Sequence, residues 1–132
     1  MQESVIVAVK YENKALIVHK KENVNDYLAG EWHLPGGGKK VGESTTETGV
    51  RETHEETGLT VYITKYLATP LSKKGKLLHW VAGEITSVDG LVAGSDVDKA
   101  QRVSVNQVPL YCSKAYKTWP EEVKNYFSNP HI

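Results

Sequence analysis

The stretch GGKKVGESTTETGVRETHEETGL, residues 37–59, sets glutamates among threonines and glycines and offers almost nothing apolar to bury. Threonine and glycine are mediocre to poor helix formers, and carboxylates crowded on a helix repel one another. Strong end signals nevertheless frame the stretch. Ser44 and Glu47 have the spacing of a capping box, and Gly58 is placed just beyond a helix end. Together they predict a helix over residues 45–57.

On that helix Glu52, Glu55 and Glu56 fall on one side near the C-terminal end. The negative end of the helix dipole worsens their repulsion. Thr46, Gly49, Val50, Thr53 and Thr57 line another side, small enough to press against a sheet. A hard divalent cation would relieve the crowding. Oxygen ligands without histidine or thiolate suit Mg²⁺ or Mn²⁺ better than Zn²⁺. Such an ion beside a glycine-rich turn is suited to a polyphosphate. On composition alone a solvated acidic face is the better description.

Around the helix the chain reads as strands. Ser4 to Lys10 and Ala15 to His19 form a hairpin about a turn at Glu12-Asn13-Lys14. Residues 21–30 are polar and read as a surface loop. Trp32 to Pro35 is a short strand stopped by proline, and Gly36-Gly37-Gly38 frees the backbone. Strands follow at Thr60 to Ala68 and Leu77 to Ile85, with a last one at Arg102 to Val105. Lys114 to Ser128 has mostly helical spacing. The expected fold class is α/β, a mixed sheet between helices in a single domain spanning 1–132.

With 16 basic and 16 acidic residues, nothing attracts a nucleic acid polymer or an anionic membrane. No apolar run reaches bilayer length, and the first residues lack the marks of a signal peptide. The single Cys112 fits a reducing, cytoplasmic setting and a buried structural role. His19, His33, His79 and His131 show no metal-ligand spacing.

The spacing of the acidic stretch decides between its two readings. Gly37, Glu43, Arg51-Glu52, Glu55-Glu56 and Gly58-Leu59 resemble the Nudix box, G-x5-E-x7-R-E-U-x-E-E-x-G-U with U a bulky aliphatic. Thr53, standing where U is expected, is the one departure, and its valine-like shape suits the packing role. Trp32 followed by Leu34-Pro35-Gly36-Gly37 is the usual lead-in.

The resemblance implies a Nudix-type α/β/α sandwich that hydrolyses a nucleoside diphosphate linked to another moiety, with Mg²⁺ as cofactor and Mn²⁺ as a substitute. By resemblance Glu52, Glu55, Glu56 and the carbonyl of Gly36 hold metal, while Arg51 and Glu43 form an ion pair that orients them. The general base is a box glutamate or a loop acid, for which Asp96 and Asp98 are candidates, though both also suit turns or caps. Homodimers are common in the family.

For substrate contacts the candidates are Trp32, Gly37, Gly38 and Lys39. Tyr27 and Trp80 are further aromatics for stacking or core, and Lys40 and Lys73 to Lys76 suit phosphates or a solvated loop. The proline that usually follows the box in ADP-ribose hydrolases is absent, and Lys76 stands where diadenosine-polyphosphate hydrolases carry tyrosine. The reading is therefore a nucleoside triphosphate pyrophosphohydrolase, including the class that cleanses damaged nucleotides. ADP-ribose or another nucleotide sugar is the alternative substrate. A non-catalytic nucleotide-binding module is the alternative function. Two nearer motifs fail: a P-loop would need lysine where Glu43 stands, and an H-E-x-x-H zinc site would need histidine where Gly58 stands.

Overall fold

The computed structural model describes residues 2–23, 26–70 and 74–129. Strands β1 (Glu3–Tyr11) and β2 (Lys14–Lys20) form the expected hairpin. Its turn places Glu12 and Asn13 at φ 51° and 63°, the left-handed pair of a two-residue turn that matches strand twist. The hairpin then splays, and the segment after the loop fills the gap. Its first part, β3 (Trp32–His33), pairs with β2, and its second, β4 (Gly36–Gly38), pairs antiparallel with β1.

The triple glycine, expected only to free the backbone, is a strand. A Cβ on Gly36 would lie 2.3 Å from the Val5 carbonyl oxygen, so only glycine brings the two backbones this close.

Helix α1 (Thr45–Thr57) has the sequence-derived bounds and both halves of the capping box. Gly58 closes it at φ 75°, its N–H donating to His54 O. Gly49 sits against Val5, Val7 and Ile63, as expected of the small face, but Thr46 points to solvent and the buried Thr48 takes its place. After α1 come β5 (Tyr62–Ala68) and β6 (Leu77–Glu84), antiparallel to each other, and β6 lies parallel to β1.

The last strand is longer than sequence suggested. β7 (Val97–Ser104) pairs with β2 from Lys14–Ser104 to Lys20–Val97. Only its Val97 and Val103 are buried, so an edge strand this polar carries little hydrophobic signal. The tail is broken as well: a 3₁₀ turn at 105–107 precedes α2 (Val108–Tyr111), α3 (Ser113–Tyr116) and α4 (Glu121–Ser128). Pro120 interrupts what spacing predicts as one helix and caps α4 instead.

β1 explains the layering. Val5, Val7 and Val9 face one apolar cluster, with Leu59, Val61 and the small face of α1. Ile6 and Ala8 face the other, with Trp80, Trp119, Val123 and Phe127 beneath the C-terminal helices. A strand covered on both faces is apolar throughout. The result is an α/β/α sandwich in one domain.

Candidate active site

α1 carries the acidic residues toward the sheet edge where β4 meets β1. Arg51 organises them. Its Nε and Nη2 donate to the two oxygens of Glu43 at 2.6 and 2.9 Å, and Nη2 also donates to Gly38 O at 2.9 Å. Nη1 donates to Glu52 and Glu55 at 2.9 and 3.0 Å. One guanidinium thus ties the loop before the helix, strand β4 and two of the box carboxylates together, a geometry that arginine's planar fork suits and lysine's point charge does not. Arg51, with the Lys40 N–H and the Thr48 hydroxyl, holds the Glu43 carboxyl well below the usual carboxylate range.

The remaining box glutamate is buried. Glu56 is 1% exposed and accepts a hydrogen bond from the Gly36 N–H at 3.0 Å. Burial pushes its pKa up to about 9, against the Gly36 bond and with help from neighbouring Asp96. Burial also raises Glu52, although Arg51 opposes it. The Glu52 carboxyl fills the space before Gly37, where a Cβ would come within 2.4 Å.

Glu52 and Glu56 therefore converge on the Gly36–Gly37 backbone. Among the described residues no three ligating side chains already close on one point, because Arg51 holds Glu52 and Glu55 while Glu56 turns to Gly36. The donor set still fits a divalent cation. It is all oxygen, and burial disfavours its negative charge until a cation supplies the counterpart.

The two loop acids separate. Asp96 lies beside Glu56, and Lys20 Nζ meets its Oδ2 at 3.3 Å. Burial would raise Asp96, but Glu56 and Lys20 outweigh it and keep its pKa low. Asp98 is within β7 and pairs with His19 at 2.7 Å instead. Lys20 carried no sequence signal, being one of several lysines on a strand end. Burial acts against its charge, yet Glu56, Asp96 and Asp26 together raise its pKa.

A cleft of about 260 Å³ opens next to Gly36 and Gly37. Ile6, Leu28, Leu78 and Trp80 give it an apolar floor, and Lys20, Asp26 and Tyr27 also line it. Trp32 is not among its walls; its ring meets His19 and Tyr111 edge-on. Gly38, Lys39 and Lys40 line an adjoining polar groove of about 630 Å³, where Lys39 lies 3.7 Å from Glu3. Lys76 and Ser4 border both spaces. Lys73 and His131 lie outside the described residues.

The other singled-out groups have structural surroundings. His33 is buried, which lowers its pKa to about 4. A carbonyl can only accept and an indole N–H only donate, so its Nδ1–H gives to Leu34 O while Nε2 accepts from Trp119. Cys112 is buried and its thiol is pushed up to about 12.

The NUDIX domain model matches residues 1–126. A Bacillus subtilis protein provisionally named 8-oxo-dGTP diphosphatase is 27% identical over 93% of this chain and 80% of its own length. An ADP-ribose pyrophosphatase of Methanocaldococcus jannaschii is 33% identical over 76% of this chain, which spans only 60% of that relative. Among solved structures, a NUDIX hydrolase from Nitrosomonas europaea superposes with a TM-score of 0.83 at 21% identity, covering 98% of this chain and 72% of that one. An ADP-ribose pyrophosphatase from Streptococcus suis gives 0.76 at 21% identity, covering 99% and 92%. These likenesses show the fold. With the family match extending over nearly the whole chain, the protein belongs to the NUDIX domain family, hydrolases of pyrophosphate bonds that generally use divalent metal ions.

Proposed function

We propose that residues 1–132 act as one Mg²⁺-dependent nucleoside triphosphate pyrophosphohydrolase, with Mn²⁺ able to substitute. The observation that carries this reading is the convergence of Glu52 and Glu56 on the Gly36–Gly37 backbone at the edge of the cleft. Glu52, Glu55 and Glu56, with the Gly36 carbonyl, would hold the cation, which when bound neutralises phosphate oxygens and acidifies water. Arg51 and Glu43 fix the reach of Glu52 and Glu55. Asp96, beside Glu56 and ionised, is the better placed of the two loop acids to take a proton from water; Asp98 is occupied by His19. The apolar floor accepts a base, and excluding water there strengthens the charges around the phosphates.

The cleft volume lies below the roughly 300–1,000 Å³ common for ligand pockets, which favours a single nucleoside over a two-part nucleotide sugar. The polar groove sharing Ser4 and Lys76 with the cleft favours the second reading, hydrolysis of ADP-ribose or another nucleotide sugar whose distal arm would lie there. The test is release of phosphate or pyrophosphate from canonical and oxidised triphosphates, ADP-ribose, NADH and dinucleoside polyphosphates, with Mg²⁺, Mn²⁺ or EDTA, a coupled phosphatase freeing phosphate where cleavage yields monophosphates. Triphosphate turnover that EDTA and Glu55→Gln both abolish is expected. Turnover of ADP-ribose alone would select the second reading, and silence from folded protein would leave a binding module.

A further inference from the structure

Lys20 lies outside the box, yet its ammonium is set into the same site. Its side chain is 13% exposed, and the partner at its tip is the Asp96 carboxylate. The backbone around that pair is fixed independently of it. The Lys21 N–H donates to Asp96 O, the Gly94 N–H to Glu56 O and the Val92 N–H to Thr57 O, so the loop is fastened both to the end of β2 and to the end of α1. Ser95, immediately before Asp96, is held at φ 60°, a conformation costly for a side chain other than glycine. These bonds set the path of the loop, and Lys20 and Glu56 meet the Asp96 carboxyl at its end. Lys20 also lines the cleft with Gly36 and Gly37, on the side where phosphates would pass.

We infer that Lys20 is a positioning residue for the hydrolysis, holding the Asp96 carboxylate against Glu56 and presenting its ammonium to the phosphates in the cleft. The inference rests on the pyrophosphohydrolase reading. Removing one partner of a part-buried ion pair costs stability whatever the lysine's role, so a purely structural lysine would show its loss in Tm and leave the turnover of the folded protein unchanged. A lysine that aims a reacting carboxylate also slows the folded protein, because a misplacement on the ångström scale already slows the reaction.

The experiment compares Lys20→Met, Lys20→Arg, Asp96→Asn and the Lys20→Met/Asp96→Asn double variant in kcat, KM and Tm. It adds calorimetric binding of inorganic pyrophosphate in EDTA. Lys20→Met is expected to lower kcat of the folded protein by at least about tenfold beside any fall in Tm, and Lys20→Arg to recover most of the loss in kcat. The double variant should lose no more than the worse single one, as residues acting through one contact are not additive. Pyrophosphate should bind more weakly to Lys20→Met, and no more weakly to Asp96→Asn than to the parent protein. Should Lys20→Met fail to fold, Lys20→Gln replaces it in every comparison. An unchanged kcat in Lys20→Met, or losses that multiply in the double variant, would overturn the inference alone. A wild-type protein with no turnover of any nucleotide would overturn the reading beneath it as well.

Discussion

Thr53 stands where the box calls for a bulky aliphatic, and its surroundings show what the departure does. The side chain is fully buried, and its hydroxyl has no hydrogen-bond partner. Valine has the same shape without the hydroxyl, so Thr53→Val removes an unsatisfied polar group and leaves the packing alone. The expected gain is about 1–2 kcal/mol, read by denaturant unfolding, with kcat unchanged. A loss of stability would mean that the hydroxyl has a partner after all. The face of α1 toward the sheet carries this polar atom, while Glu52 and Glu55 lie on another side of the same helix.

At the scale of elements, β4 and α1 form the site together, and their glycines have different duties. On Gly36 a new Cβ would strike the Val5 carbonyl, which is backbone and cannot yield. On Gly37 it would strike the Glu52 carboxyl, the far end of a side chain that can swing away. Gly37→Ala is therefore expected to fold with a small change in Tm while displacing Glu52, with a loss of turnover on the order of 10²-fold. Gly36→Ala should lose stability instead, and thermal melts beside kinetics separate the two outcomes.

The same elements show what could be read from the chain. The helix was legible because Ser44, Glu47 and Gly58 are local signals that act through their own neighbours. β4 was not, because its pairing with β1 depends on backbone contacts that glycine permits but does not announce. β7 was read short because its residues between Val97 and Val103 are mostly polar and its ladder with β2 is a tertiary pairing that no local signal marks. The box glutamates stood out by spacing, whereas Lys20 enters the site only through the tertiary pairing of β2 with β7.

For the molecule as a whole, the buried acid makes stability depend on pH and on cation. Glu56 has its pKa raised in the folded state, so the stability it contributes is complete below about 4.5 and lost as pH rises toward about 9. His33, lowered by burial, works in the opposite sense below its unfolded value of 6.5. Between pH 7 and 9 the Glu56 effect is therefore the one to observe: in EDTA Tm should fall with pH, and Glu56→Gln should flatten the fall. Mg²⁺ should raise Tm in the parent protein by binding only the folded site. Scanning calorimetry across that range checks all three, and a flat profile in EDTA would refute the account.

The sandwich also governs how the chain comes together in time. β1 lies opposite β6 from Glu3–Leu77 to Val9–Gly83, and Lys10 reaches forward to the Tyr126 carbonyl at 2.6 Å. Such distant pairings fold slowly, since the intervening loop must close before any contact rewards it. During synthesis β1 and β2 emerge before β6, apolar on both faces, and the helix between them and β6 is too short and too poor in propensity to persist alone. The hairpin must then wait for a parallel partner made some seventy residues later. Until β6 leaves the ribosome, the strand that will become the centre of the sheet is the part of the nascent chain most in need of a chaperone.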